Sequence, residues 1–207
     1  MITKIKENWM YLSAIFLIFS VGGWLMETIG NIVFHGSVLD KGFLTLPLCP
    51  IYGFAVVIIM IVVGLPFEGK WKDLYIQKTG FSKFAVKSLT LLIYTIVCTL
   101  TAVAFEFVVG QTYYMIFDIR LWHYQETADT FWNGFISREV SDAWFLLIMI
   151  AAPAIVTPLY RKIKTINIVM LRNASKIMIM LLIADFIITV IHIIITGDKI
   201  NIFNWNI

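Results

Sequence analysis

The chain has 207 residues, 60% of them hydrophobic and 14% charged, with a mean hydropathy of +0.87. A soluble domain is about 45–50% apolar and about 25% charged, so this excess has to face lipid from long helices. Disorder, a nucleic-acid-binding domain and a disulfide scaffold are excluded together, and a net charge of +3 is too small to call for a polyanionic partner.

The composition predicts an all-α fold, a polytopic membrane helix bundle forming one domain over residues 1–207. Five apolar stretches reach the roughly 20 residues that a spanning helix needs. The first covers residues 10–34. Lys4 and Lys6 give it a basic start, but the apolar run is too long for a signal peptide and shows no small-x-small cleavage site, so it reads as a retained helix. The second covers 44–65 and starts among Pro47 and Pro50. The third covers 84–109. The fourth, 142–159, contains Pro153 and Pro158, and the fifth covers 177–196. A polar, aromatic loop over 110–141 separates the third and fourth spans. Cys49 and Cys98 read as small packing residues.

Orientation follows the basic residues. With the N-terminus cytoplasmic, 12 of the 16 Lys and Arg fall on the inner side, and only Lys41, Arg120, Arg138 and Lys199 fall on the outer side. This predicts five spans, the N-terminus inside, the C-terminus outside and residence in the cell inner membrane. The inner connections mix Lys and Arg with Trp71, Leu74, Tyr75, Ile168 and Met170, a composition that anchors at the lipid interface.

Residues 64–71, GLPFEGKW, match G-x-x-x-x-G-K, but Trp71 stands where a nucleotide loop needs Ser or Thr for magnesium. The match follows an apolar helix rather than a strand, so the chain is not expected to hydrolyse ATP. No Ser-His-Asp, Cys-His or S-x-x-K arrangement accompanies it, no catalytic constellation is recognised, and neither cofactor nor metal is expected.

Charged groups inside a bilayer mark function or buried pairs. Glu27 lies about 17 residues into the first span and Glu106 about 22 residues into the third, which places both in the outer half at 1.5 Å per residue. Asp185 is nearer the middle of the fifth span. His35, His123 and His192 all fall on the outer side, without metal-ligand spacing. Glu27 precedes Lys41 by 14 positions, and Glu106 precedes Arg120 by the same 14. A glycine follows each glutamate (Gly30, Gly110), and an aromatic follows each base (Phe43, Trp122). This points to a parallel internal repeat in which Glu27 could pair with Arg120 and Glu106 with Lys41. Two readings stand: neutralised pairs that fix helix docking, or an outward-facing pocket for a small solute, an ion or a lipid head group.

Two stretches carry a family resemblance. Residues 19–53 read FSVGGWLMETIGNIVFHGSVLDKGFLTLPLCPIYG, and residues 105–141 contain FEF, IRLWHY, WNGFI and a closing Ser. Together they resemble small bacterial membrane proteins described as Putative ABC-transporter type IV (CmpB-like). The resemblance covers roughly 19–159 and leaves Asp185 and His192 outside it. It singles out Trp24, Glu27, Lys41, Gly42, Phe43, Pro47, Pro50, Tyr52, Gly53, Glu106, Arg120, Trp122, Tyr124, Asn133 and Gly134. His123 and Gln125 depart from the Asp and Ser of the pattern. The resemblance implies a transport role, for which ATP hydrolysis would need a separate ATPase subunit. The candidate ligand-binding residues are therefore Glu27, Lys41, Tyr52, Glu106, Arg120, Trp122, Tyr124 and Asn133. The expected partners are the lipid bilayer, that ATPase, a small solute or lipid, and a second copy in a homodimer. Nucleic acid is not expected. An intramembrane enzyme acting through the carboxylates, and a structural or signalling partner, are the alternative functions.

Overall fold

The computed structural model describes residues 2–38, 43–118, 120–124, 129–197, 200 and 205–206. In chain order the elements are α1 (Ile2–His35), β1 (Ser37–Val38), α2 (Pro50–Val62), α3 (Lys70–Asp73), α4 (Gly80–Phe117), β2 (Thr130–Phe131), β3 (Ile136–Ser137), α5 (Arg138–Ala151), a π-helical turn (Ala152–Val156), α6 (Thr157–Ile163), α7 (Ile168–Thr196) and β4 (Trp205–Asn206). The fold is an all-α membrane helix bundle. Four helical stretches are long and apolar enough to cross a bilayer: Trp9–Phe34, Gly80–Phe117, Arg138–Ile163 and Ile168–Thr196. Their flanks leave Phe34, Leu100, Ile150 and Ile183 exposed, as a lipid-facing surface requires. The chain divides into two compact units, residues 1–57 with 163–207 and residues 58–162.

In the first unit α1 and α7 lie side by side and run in the same direction. Ser13 Oγ near the start of α1 donates to Ser175 Oγ near the start of α7 at 2.8 Å. Beyond their far ends β1 and β4 pair, with Ser37 opposite Asn206 and Val38 opposite Trp205. α1 stops at Gly36, whose φ of +63° continues no right-handed helix, and the buried Asn31 donates to Ser37 O at 2.5 Å to seal the turn. α7 begins at Asn167, whose Oδ1 accepts from Val169 N at 2.9 Å, and ends at Gly197 with φ +78°.

The predicted second span, 44–65, is only partly helical. α2 has 13 residues, about 20 Å at 1.5 Å per residue, against a hydrocarbon core of about 30 Å. Proline sets its start. The residue before a proline is driven out of the helical region, and Pro50 itself suits the first helical position. Residues 43–49 therefore precede the helix as irregular chain.

The second unit is a hairpin of α4 against the continuous α5–α6 rod. α4 exceeds the predicted third span at both ends and runs eight residues into the predicted 110–141 loop. It stops at Asp118, in the left-handed region at φ 54°. The fourth span keeps Pro153 by widening into the π-helical turn. There the Thr157 hydroxyl donates to Ala152 O at 2.9 Å, across the register that proline disrupts. The core joins Ile59, Val63, Trp71, Tyr94, Cys98, Ala102, Ile148 and Ala152. Trp71 Nε1 donates to Val63 O at 2.9 Å and Tyr94 Oη donates to Gly64 O at 3.0 Å. Arg161 holds Glu68 at 2.6 Å. These contacts explain the failed nucleotide match: its glycines turn the chain so that Trp71 enters the core.

Candidate functional site

Each unit holds a carboxylate bound by a tyrosine. In the first unit Phe16, Ser20, Gly23 and Glu27 fall on one face of α1, at three- and four-residue spacing. The Tyr52 ring packs directly over Gly23, where an added Cβ would lie 2.3 Å from the ring. That close approach lets Tyr52 Oη donate to Glu27 Oε1 at 2.7 Å. The Cys49 thiol reaches Glu27 Oε2 at 4.0 Å, and Cys49 N donates to Ser20 O at 2.9 Å. Lys41 lies outside the described residues.

Asp185 lies in the same unit. It is buried on α7 and accepts from Leu46 N at 3.0 Å and from the Thr45 hydroxyl. Residues 43–53, the glycine- and proline-punctuated part of the first motif, are therefore held by two carboxylates, Asp185 at one end and Glu27 at the other. In the sequence Asp185 stands out by its place within the fifth apolar stretch alone. Its donors, the Thr45 hydroxyl and Leu46 N, come from an irregular segment, which no periodicity encodes.

In the second unit Glu106 is buried on α4 and accepts from Tyr124 Oη at 2.8 Å. One turn further, Gly110 gives room to the Trp122 ring, which an added Cβ would meet at 2.8 Å. Trp122 Nε1 donates to Phe135 O at 3.1 Å, and Tyr124 N donates to Gly134 O at 3.0 Å. Trp132, Asn133 and Gly134 form a left-handed run with φ of 50°, 56° and 78°. Asparagine and glycine tolerate this region better than most residues. The turn presents the Asn133 carbonyl to Arg120 Nη1 at 2.6 Å, so Asn133 acts through its main chain. Arg120 also donates to His123 Nδ1 at 2.7 Å and lies over the rings of Tyr114 and Phe135 at 5.2 and 4.9 Å. Glu27 belongs to the first unit and Arg120 to the second.

The parallel between the units is chemical rather than positional. Gly110 is tightly packed, whereas open space surrounds Gly30. The packed glycine of α1 is Gly23, on the other side of its glutamate. Among the described residues no group of three or more His, Cys, Asp and Glu is placed to hold a metal ion. The 61–71 turn lines a cavity of about 380 Å³, bordered by Ile61, Val63, Leu65, Glu68 and Trp71.

The family described as Putative ABC-transporter type IV matches residues 14–190. The match extends beyond the stretch that carried the resemblance and takes in Asp185. Comparison with curated proteins gave no match, and neither did comparison with solved structures.

Proposed function

Because the chain belongs to the Putative ABC-transporter type IV family, we propose that it is the membrane component of a transport system, with a polar site toward the outer side for a small solute, an ion or a lipid head group. The observation that carries this reading is the Glu106 cluster. A buried carboxylate within a spanning helix accepts from Tyr124, and Trp122 and an arginine cradled by Asn133 O and His123 stand on the same loop. Acid and phenol at Glu106, with base and indole on the adjoining loop, suit a ligand with both charged and apolar parts. Glu27 with Tyr52 is a second polar site of the same kind. ATP hydrolysis belongs to a separate subunit on the inner side.

A structural clasp is the competing reading, favoured by one observation: Trp122, Tyr124 and Arg120 all bond to the 133–135 turn and lock it. Native mass spectrometry separates the two. Glu106→Gln keeps an oxygen for Tyr124 to donate to while removing the charge. The expected result is a bound small molecule on the wild-type chain, its loss in Glu106→Gln, and unchanged melting in detergent. No adduct on either protein, with lower melting for the variant, would establish the clasp.

In this reading the chain lies in the inner membrane of a bacterium, as one membrane domain, with the N-terminus inside. α1 and α7 run in the same direction, and the α4–α5 hairpin crosses and returns. α2 with its irregular lead 43–49 must then make a crossing of its own. A reporter fused after Ile207 should consequently respond only on the outer side. A cytoplasmic signal would overturn the five-span arrangement.

A further inference from the structure

We propose that Asp185, Thr189 and Thr45 form a binding site for an alkali cation of the sodium class. Asp185 is buried in the body of α7, and its two oxygens accept from Leu46 N and the Thr45 hydroxyl, both neutral donors. No Lys, Arg or His among the described residues forms an ion pair with it. A carboxylate bonded on both oxygens, deep in a membrane protein, calls for a positive countercharge.

Thr189 is the second, independent observation. It lies one turn beyond Asp185 on the same buried face, is wholly inaccessible, and its hydroxyl meets no hydrogen-bond partner among the described residues. Thr90, Thr95, Thr101 and Thr196 return their hydroxyls to the carbonyl four residues back, at 2.7 to 2.9 Å, as helical threonines usually do. Thr189, like Thr99 on α4, departs from that habit and keeps an oxygen available, and of the two only Thr189 stands one turn from a buried carboxylate bonded by neutral donors. Residues 43–49 add backbone that no helical ladder occupies, the setting in which membrane proteins ligate monovalent cations. Carboxylate and hydroxyl oxygens are hard ligands, which suit sodium and exclude soft metals.

The test is thermal unfolding of the full chain in detergent, with sodium or potassium chloride replacing choline chloride at constant ionic strength. A saturable rise in melting temperature with sodium is expected for the wild type. Asp185→Asn should abolish the rise, and Thr189→Val, which keeps shape and loses the oxygen, should raise the half-saturating concentration about tenfold. Identical melting of the wild type in sodium, potassium and choline would overturn the site, as would an unchanged response in Asp185→Asn. If that variant does not fold, Thr189→Val decides, and an unchanged half-saturating concentration refutes the proposal. Stabilisation by acid with no response to either alkali ion would assign the site to a proton instead.

Discussion

Gly53→Ala is expected to lower the melting temperature in detergent by roughly 5–10 °C, the largest effect of any single methyl in the first unit. The added carbon would lie 2.3 Å from Ser20 Oγ and 2.4 Å from Phe16 O. Neither obstacle can step aside. Ser20 is fully buried with its hydroxyl bound to Phe16 O at 2.7 Å, and the carbonyl is the backbone of α1 itself. The helices would have to separate. Overpacking of this kind costs about 1–3 kcal/mol, and here it also draws Cys49 N from Ser20 O and Tyr52 from Glu27. Gly30→Ala is the control, since nothing stands within 4 Å of its Cβ. That change should be neutral or slightly stabilising through helix propensity. Equal melting of Gly53→Ala and wild type would contradict the packing of α1 against α2.

Glu106→Ala is expected to destabilise the second unit by about 1–3 kcal/mol, because the Tyr124 hydroxyl loses its acceptor in a place that water does not readily reach. Tyr124→Phe should produce a loss of similar size. The double variant should lose little more than either single one, giving a coupling of at least about 1 kcal/mol. Strict additivity would show that the two groups do not act on each other. The same cycle at Glu27 and Tyr52 tests the sister pair, with a smaller expected coupling because Glu27 is only half-buried.

Both pairs arise from the same device. A glycine one turn from the glutamate lets an aromatic side chain come close against the helix, Tyr52 at Gly23 and Trp122 at Gly110. Aromatic residues thereby bring polar groups to a depth that charged side chains reach only at high cost.

How far this was legible from the residues differs between elements. The membrane class, the all-α fold and the long helices around Glu27, Glu106 and Asp185 followed from apolar run length, since bilayer thickness dictates it directly. The prolines at 47 and 50 announced that the second span would be unusual but not that it would shorten to 13 helical residues. The eight extra residues of α4 escaped a hydropathy reading because Gln111, Thr112 and the two tyrosines are polar enough to suggest a loop.

The candidate site divides the same way. Glu27 and Glu106 stood out by depth, and Tyr52, Trp122 and Tyr124 by motif. Spacing linked the glutamates to Lys41 and Arg120, yet the donors observed on them are tyrosines, and Arg120 turns to His123 and the Asn133 carbonyl. Which group meets which depends on turn geometry far along the chain, most visibly the left-handed run at 132–134.

The amino-acid sequence alone determined that this chain is a helical membrane protein and that Glu27, Glu106 and Asp185 fall within long apolar helices, because the thickness of a bilayer acts on each segment separately. Only the tertiary structure decided the partners: that Asp185 accepts from Leu46 N and the Thr45 hydroxyl, that Tyr124 reaches Glu106, and that Trp71 fills a core instead of a nucleotide site. Those contacts depend on close approach between distant segments, and close approach is set by packing in three dimensions rather than by local pattern.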